Sequence, residues 1–237
     1  MRSILITNDD GIGADGLIRL AQAAQSFGEV WVIAPESQRS AASHSITLHN
    51  HIDVFPQDFP VAGVRAFSCS GTPADCVRVC RNLMPQPPDA VLSGINFGYN
   101  VATDIQYSAT AGAAFEAAFQ EYHAIALSEE ANGCHAVTDA YLHDILAELL
   151  DQKLGYGQIL NVNFPGCPLA DCGGILFDRT VSRRMIYRDH YNVIDTLPDG
   201  GLRLMVEGVY NEDGEDGTDF QAVMQGYISV GIADNIG

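Results

Sequence analysis

Short apolar runs alternate with stretches of helical periodicity through the first two thirds of the chain. Runs at 4–7, 30–34, 89–93, 124–128 and 158–163 carry almost no polar interruption, the pattern of strands covered on both faces. Between them, Ala14 to Ser26 sets Leu17, Leu20, Ala21 and Ala24 at helical spacing. Thr72-Pro73-Ala74-Asp75 offers an N-cap, a proline for the first helical position and an acid in the first turn, so a helix is predicted from Pro73 to about Leu83. Alanine-rich Ala109 to Phe119 and amphipathic Ala136 to Leu150 predict two more. Such alternation predicts an α/β fold: a three-layer α/β/α core around a mostly parallel, Rossmann-like sheet.

After Asn163-Phe164-Pro165-Gly166 the character changes. Ile186 to Leu197, the turn Pro198-Asp199-Gly200-Gly201 and Leu202 to Tyr210 read as a hairpin, and Thr218 to Gln225 as a short helix. The expected division is a catalytic core over 1–177 and a hairpin-and-helix extension over 178–237.

Composition narrows the partners. Twelve Lys and Arg against thirty Asp and Glu leave a formal net charge of −18, which repels large nucleic acids over most of the surface. With 47% apolar residues the chain is nonetheless globular rather than disordered. The six cysteines show no paired C-x-x-C spacing and read as reduced thiols. No signal peptide and no run of membrane-spanning length is present, so the expected setting is the cytoplasm, with no membrane partner.

The chemistry begins where the first predicted strand runs into Asn8-Asp9-Asp10-Gly11. Ligands of open α/β sheets bind at the carboxyl ends of strands. Two adjacent carboxylates there repel one another unless neutralised, and a hard divalent cation does that, although a solvated loop explains the dipeptide equally well on its own. The same loop spells Gly11-Ile12-Gly13-Ala14-Asp15-Gly16, matching the G-x-G-x-x-G pattern of dinucleotide sites, with Glu36 as a candidate ribose acid. That reading makes the chain an oxidoreductase. Against it, Asp9 and Asp10 put negative charge where a pyrophosphate needs bare N–H groups.

Further oxygens lie at other strand ends. The polar loop from Ala34 to Ser45 contains Ser40, a neutral donor for a hard metal, and Arg39, able to pair with phosphate or with Glu36. Asn96 follows the strand at 89–93, and Tyr107-Ser108-Ala109-Thr110 opens the alanine-rich helix, whose N-terminus favours anions. Singly, Ser40 reads as surface and Ser108 as an N-cap. Jointly, these groups suit one Mg²⁺ or Mn²⁺ beside a phosphate monoester and hence hydrolysis. His49 and His51 read as surface residues, while His44, in the Ser40 loop, is a candidate for the phosphate or leaving group. Cys76 and Cys80 read as core.

Through these blocks the sequence resembles the SurE family of 5′/3′-nucleotidases. They are Ile6-Thr7-Asn8-Asp9-Asp10-Gly11-Ile12; Ala34-Pro35 with Arg39-Ser40 and Ser43-His44-Ser45-Ile46-Thr47; Ser70-Gly71-Thr72-Pro73-Ala74-Asp75-Cys76-Val77; Ser93-Gly94-Ile95-Asn96 with Gly98 and Asn100; and Tyr107-Ser108 with Thr110, Gly112, Ala113 and Ala114. Thr218-Asp219 with Gly226 to Val230 looks like the closing segment. The resemblance implies one divalent metal ion per subunit, held by Asp9, Asp10, Ser40 and Asn96. It also implies phosphate binding by Asn100, Ser108 and Thr110, with Asp9 assisting the attacking water. Nucleoside monophosphates are the implied substrates, and exchange of C-terminal segments the implied route to a homodimer or homotetramer. Phe97 and Tyr99 stand where the family carries an arginine and a small residue or proline, and Ala109 replaces a glycine. These departures bear on substrate preference and leave open a nucleotide-binding sensor without turnover.

Overall fold

The computed structural model describes residues 1–211 and 214–236. Its centre is a nine-stranded sheet. Five strands were expected: β1 (Ser3–Thr7), β2 (Glu29–Pro35), β5 (Ala90–Phe97), β6 (His123–Glu129) and β7 (Gln158–Phe164). Four more join them: β3 (Val54–Gln57), β4 (Arg65–Cys69), β8 (Ile175–Leu176) and β11 (Ile228–Asp234). The order is β3-β4-β2-β1-β5-β6-β7-β11-β8. From β4 through β7 all pairings are parallel, and β3 on β4 and β11 on β7 are antiparallel.

Alternation along each strand divides the core. Ile4, Ile6, Val30, Val32 and Leu92 pack under α1 (Asp15–Ala24) and α4 (Ala136–Leu149), whereas Leu5, Trp31, Ile33 and Val91 meet α2 (Pro73–Leu83) and α3 (Ala109–Phe119). A strand with both faces covered must be apolar throughout, which is why these runs lack a polar face. Cys76 and Cys80 are buried in the second layer, and His49 and His51 are exposed. At α2 the predicted cap forms: Thr72 accepts from Asp75 N–H at 3.1 Å and the Asp75 carboxylate accepts from Thr72 N–H at 2.9 Å. Asp75 also accepts from Thr47, tying the Ser40 loop to this helix.

The stretch from 178 onward does not behave as one unit. β9 (Tyr187–Thr196) and β10 (Leu202–Tyr210) form the expected hairpin, a separate two-stranded sheet whose residues are all exposed. β11 instead returns to the main sheet, running from Ser229 opposite Asn163 to Asp234 opposite Gln158. A Cβ at Gly231 would lie 1.9 Å from the Arg179 carbonyl oxygen, so the return depends on glycine at that crossing. The short helix α5 (Asp219–Met224) packs on β11, and its Asp219 accepts from Ser182 N–H and Ala102 N–H. The last strand is therefore part of the core sheet, and the hairpin alone projects. Residues 212, 213 and 237 of that stretch lie outside those described. Among the described residues no helix is long and apolar enough to cross a membrane.

Candidate active site

Asp9 and Asp10 leave β1 at the carboxyl edge of the sheet. The loop is closed by Asn8, whose amide donates to the Gly11 carbonyl at 3.0 Å while its oxygen accepts from Gly11 N–H at 3.2 Å. Gly11 has φ +103°, a conformation natural to glycine. At Gly16 a Cβ would meet the Ile95 carbonyl oxygen at 2.1 Å. Two glycines of the apparent dinucleotide motif thus have local reasons, one turning the chain and the other seating α1 against β5.

The two acids face different neighbours. Asp9 is 4% exposed and accepts a short hydrogen bond from Thr110 Oγ1 at the start of α3. Burial pushes its carboxyl up to about 6; the Thr110 bond opposes this and the neighbouring Asp10 charge adds to it. Asp10, half-buried, is also raised, chiefly by burial. Its Oδ2 accepts from Phe97 N–H at 3.1 Å, and its Oδ1 lies 3.4 Å from Gln38 Nε2. Gln38 also donates to Ser40 Oγ at 3.0 Å. One amide therefore draws the Ser40 loop to the first loop. Arg39 N–H fastens it further, donating to the Asp9 carbonyl at 2.7 Å.

Asn96 stands next to Phe97 on the same rim. Its side-chain amide donates to the Gly98 carbonyl at 2.7 Å, which leaves the amide oxygen unspent. Two carboxylates, one hydroxyl and one amide make an all-oxygen donor set, the kind that hard Mg²⁺ and Mn²⁺ take and that softer ions do not favour. Neither acid has a cationic side chain among the groups that set its proton affinity. The chemistry of the donors fits a divalent cation. Among the described residues no cluster of three or more His, Cys, Asp and Glu offers an alternative centre.

The other expected residues are placed as follows. Ser108 caps α3, accepting from Ala111 N–H at 2.9 Å, so its oxygen serves the helix while its own proton stays free to donate. Asn100 is buried: its amide donates to Ser128 Oγ at 2.7 Å, and its carbonyl receives Asn161 and Asn163. The Arg39 guanidinium turns to the Ser70 carbonyl at 2.9 Å and touches neither acid nor Glu36. His44 is tied to α3 instead of the acids, with Nε2 2.8 Å from Glu116 Oε2 and its ring stacked on Phe119. Despite burial, bonds from His44 and Gln120 and the Arg78 charge hold Glu116 below the usual carboxylate range. Gly112 allows this contact, since a Cβ there would come within 2.5 Å of the Ser43 carbonyl oxygen.

Four residues at this edge escaped the sequence reading. Gln38 sits two residues before Ser40, in a loop where hydroxyls drew attention first. Glu129 and His135 were missed although Glu129 ends β6 at the same edge as Asp9, a position that should have drawn attention to it. Arg19 binds Glu129, Asp139 and Asp15 together.

Comparison with known proteins places these observations in a lineage. A family profile described as "Survival protein SurE" matches residues 4–186. A 5′-nucleotidase SurE of Clostridium botulinum strain 657 is 38% identical over 233 residues, spanning 96% of this chain and 91% of its own. One from Rhodospirillum rubrum is 37% identical over 239 residues, spanning 96% and 88%. The crystal structure of the SurE protein from Aquifex aeolicus is similar with a TM-score of 0.80 at 30% identity, covering 98% of this chain and 93% of that one.

Proposed function

The chain belongs to the SurE family, and on that footing we propose that it is a metal-dependent 5′/3′-nucleotidase, hydrolysing nucleoside monophosphates to nucleoside and phosphate. The observation that carries this is the linking of Asp10 and Ser40 through Gln38 at the sheet edge, with Asp9 adjacent in the same loop and Asn96 next to the Phe97 whose N–H binds Asp10. The dinucleotide reading is not favoured, because membership points elsewhere and the two acids occupy the place a pyrophosphate would need.

Asp9, Asp10, Ser40 and Asn96 would hold one Mg²⁺ or Mn²⁺ per subunit. When bound, such an ion supplies Lewis acidity to the phosphoryl group. The protein's own residues do the rest. Thr110 fixes the orientation of Asp9, the buried carboxylate that would accept a proton from the attacking water. The first N–H groups of α3, with the Ser108 hydroxyl, offer donors to the phosphate oxygens, while the Thr110 hydroxyl proton is committed to Asp9 and Thr110 is left its backbone N–H for the anion. Asn100, braced by Asn161 and Asn163, holds the rim loop in place for the same anion. Arg39 and His44 would serve by fixing the loop and α3, a role their contacts with Ser70 and Glu116 support.

Assembly belongs to the same reading. On one face of the projecting hairpin, Val193 lies opposite Leu204 and Tyr191 opposite Val206, all exposed. An isolated two-stranded ribbon is marginal in water, so a second copy of the chain covering this face gives a homodimer or homotetramer. The core, with β11 returned to it, then carries the chemistry while the hairpin assembles.

Phosphate release from a panel of nucleoside 5′- and 3′-monophosphates tests the activity. Release is expected with Mg²⁺ or Mn²⁺ and a loss of at least about a hundredfold with EDTA, restored by excess cation. Saturable binding of nucleotide without any release would mark a sensor.

A further inference from the structure

A cleft of about 310 Å³ opens beside Asp10. Its lining joins the aliphatic surface of Ala14, Gly16 and Ile95 to Phe97, Glu129 and His135. Phe97 is 53% exposed, and its backbone N–H is fixed to Asp10 Oδ2, so an aromatic face is anchored next to the candidate phosphate site. Glu129 closes the cleft with an incomplete set of bonds. Its Oε1 receives Arg19 Nη2, and His135 Nδ1 lies 2.9 Å from the same oxygen and 3.2 Å from Arg19 Nη2. Arg19 is fully engaged, its Nη1 on Asp139 at 2.7 Å and its Nε on Asp15 at 2.8 Å. Glu129 Oε2 is buried and has no hydrogen-bond partner. A buried acceptor left unmade is costly, and a ligand carrying an N–H donor removes that cost.

Resting on the nucleotidase reading, we propose that this cleft is the nucleobase subsite and that it selects bases bearing an exocyclic amine. Phe97 stacks on the base, since an aromatic face gains far more from a flat heterocycle than from a sugar. Glu129 Oε2 accepts from the amine. With Arg19 held on Oε1 keeping the carboxylate charged, the unpartnered Oε2 acts as an acceptor and rejects a base that presents a carbonyl at the same place. Arg19 and His135 are positioning residues that hold Glu129 in register.

Two substrate pairs isolate the amine, because AMP differs from IMP, and CMP from UMP, by an amine in place of a carbonyl. In the wild-type protein with Mn²⁺, kcat/KM for AMP over IMP and for CMP over UMP is expected to exceed about tenfold. Glu129→Gln preserves the shape; with its oxygen facing Arg19 and His135 it turns an amide N–H to the cleft, so the order inverts toward IMP and UMP. Phe97→Leu is expected to raise KM for AMP several-fold with kcat little changed, and Phe97→Trp to restore it. Phe97 is exposed, so these two variants and the wild-type ratios decide the matter if Glu129→Gln does not fold. Para-nitrophenyl phosphate, which has no base, reports the hydrolysis separately in the wild-type protein. Its cleavage alongside equal kcat/KM for AMP and IMP overturns the base subsite alone. Failure to cleave it or any nucleotide overturns the nucleotidase reading and the subsite with it.

Discussion

Asp9→Asn combined with Asp10→Asn is expected to leave a folded protein whose phosphate release from AMP falls by about a thousandfold or more, roughly 4 kcal/mol of transition-state stabilisation. Both carboxyls are pushed up by burial, Asp9 to about 6, and the Asp10 charge adds to the cost of charging Asp9. Asparagine keeps the size and an oxygen for the Thr110 hydroxyl while removing that repulsion. The thermal midpoint should therefore hold or rise as activity collapses, the trade expected where strain is kept for function. Thermal unfolding and phosphate release measured on the same preparation check both halves. Full activity in a folded double variant would remove the acids from the chemistry.

Val193→Glu with Leu204→Glu is expected to convert the assembled protein to monomers, seen as a shift to the single-chain 25.5 kDa mass by sedimentation velocity. The two residues face each other across β9 and β10 and are 56% and 50% exposed in the single chain, so neither substitution costs core packing. In an assembly they would place four or more carboxylates in one dry interface, which association cannot tolerate. Far-UV circular dichroism should be unchanged. A wild-type protein already sedimenting as a monomer would contradict the role given to the hairpin.

How much of this was legible in the sequence depended on whether the deciding forces were local. The cap at Thr72 and the alanines of α3 act within a few residues, and both helices begin and end where the sequence predicts. Edge strands were harder. β3 contains Pro56 and pairs only with β4, so it lacks the continuous apolar run of a strand covered on both faces. β11 was missed because its partner β7 lies far away in sequence and its Gly231 reads as a breaker, whereas the glycine is there to pass the Arg179 backbone. Reading 178–237 as one extension followed from the same blindness to long-range pairing.

The candidate site was legible in its acids and poorly legible in its supports. Asp9 and Asp10 announce themselves by adjacency and by their place after β1. Gln38 does not, because only the folded chain shows that one amide reaches both Asp10 and Ser40. His44 shows what loop membership leaves out: a buried glutamate on α3, inconspicuous among alanines, holds its ring. Arg39 likewise owes its orientation to a carbonyl thirty-one residues away.

Anomalous scattering from a crystal soaked in Mn²⁺ tests the central claim most directly. The account predicts one strong peak per chain within about 2.0–2.4 Å of oxygens from the set Asp9, Asp10, Ser40 and Asn96, or of waters they hold, and no peak in the Asp9→Asn, Asp10→Asn protein. A peak elsewhere, or none at the edge of the sheet in protein that still releases phosphate, would contradict it.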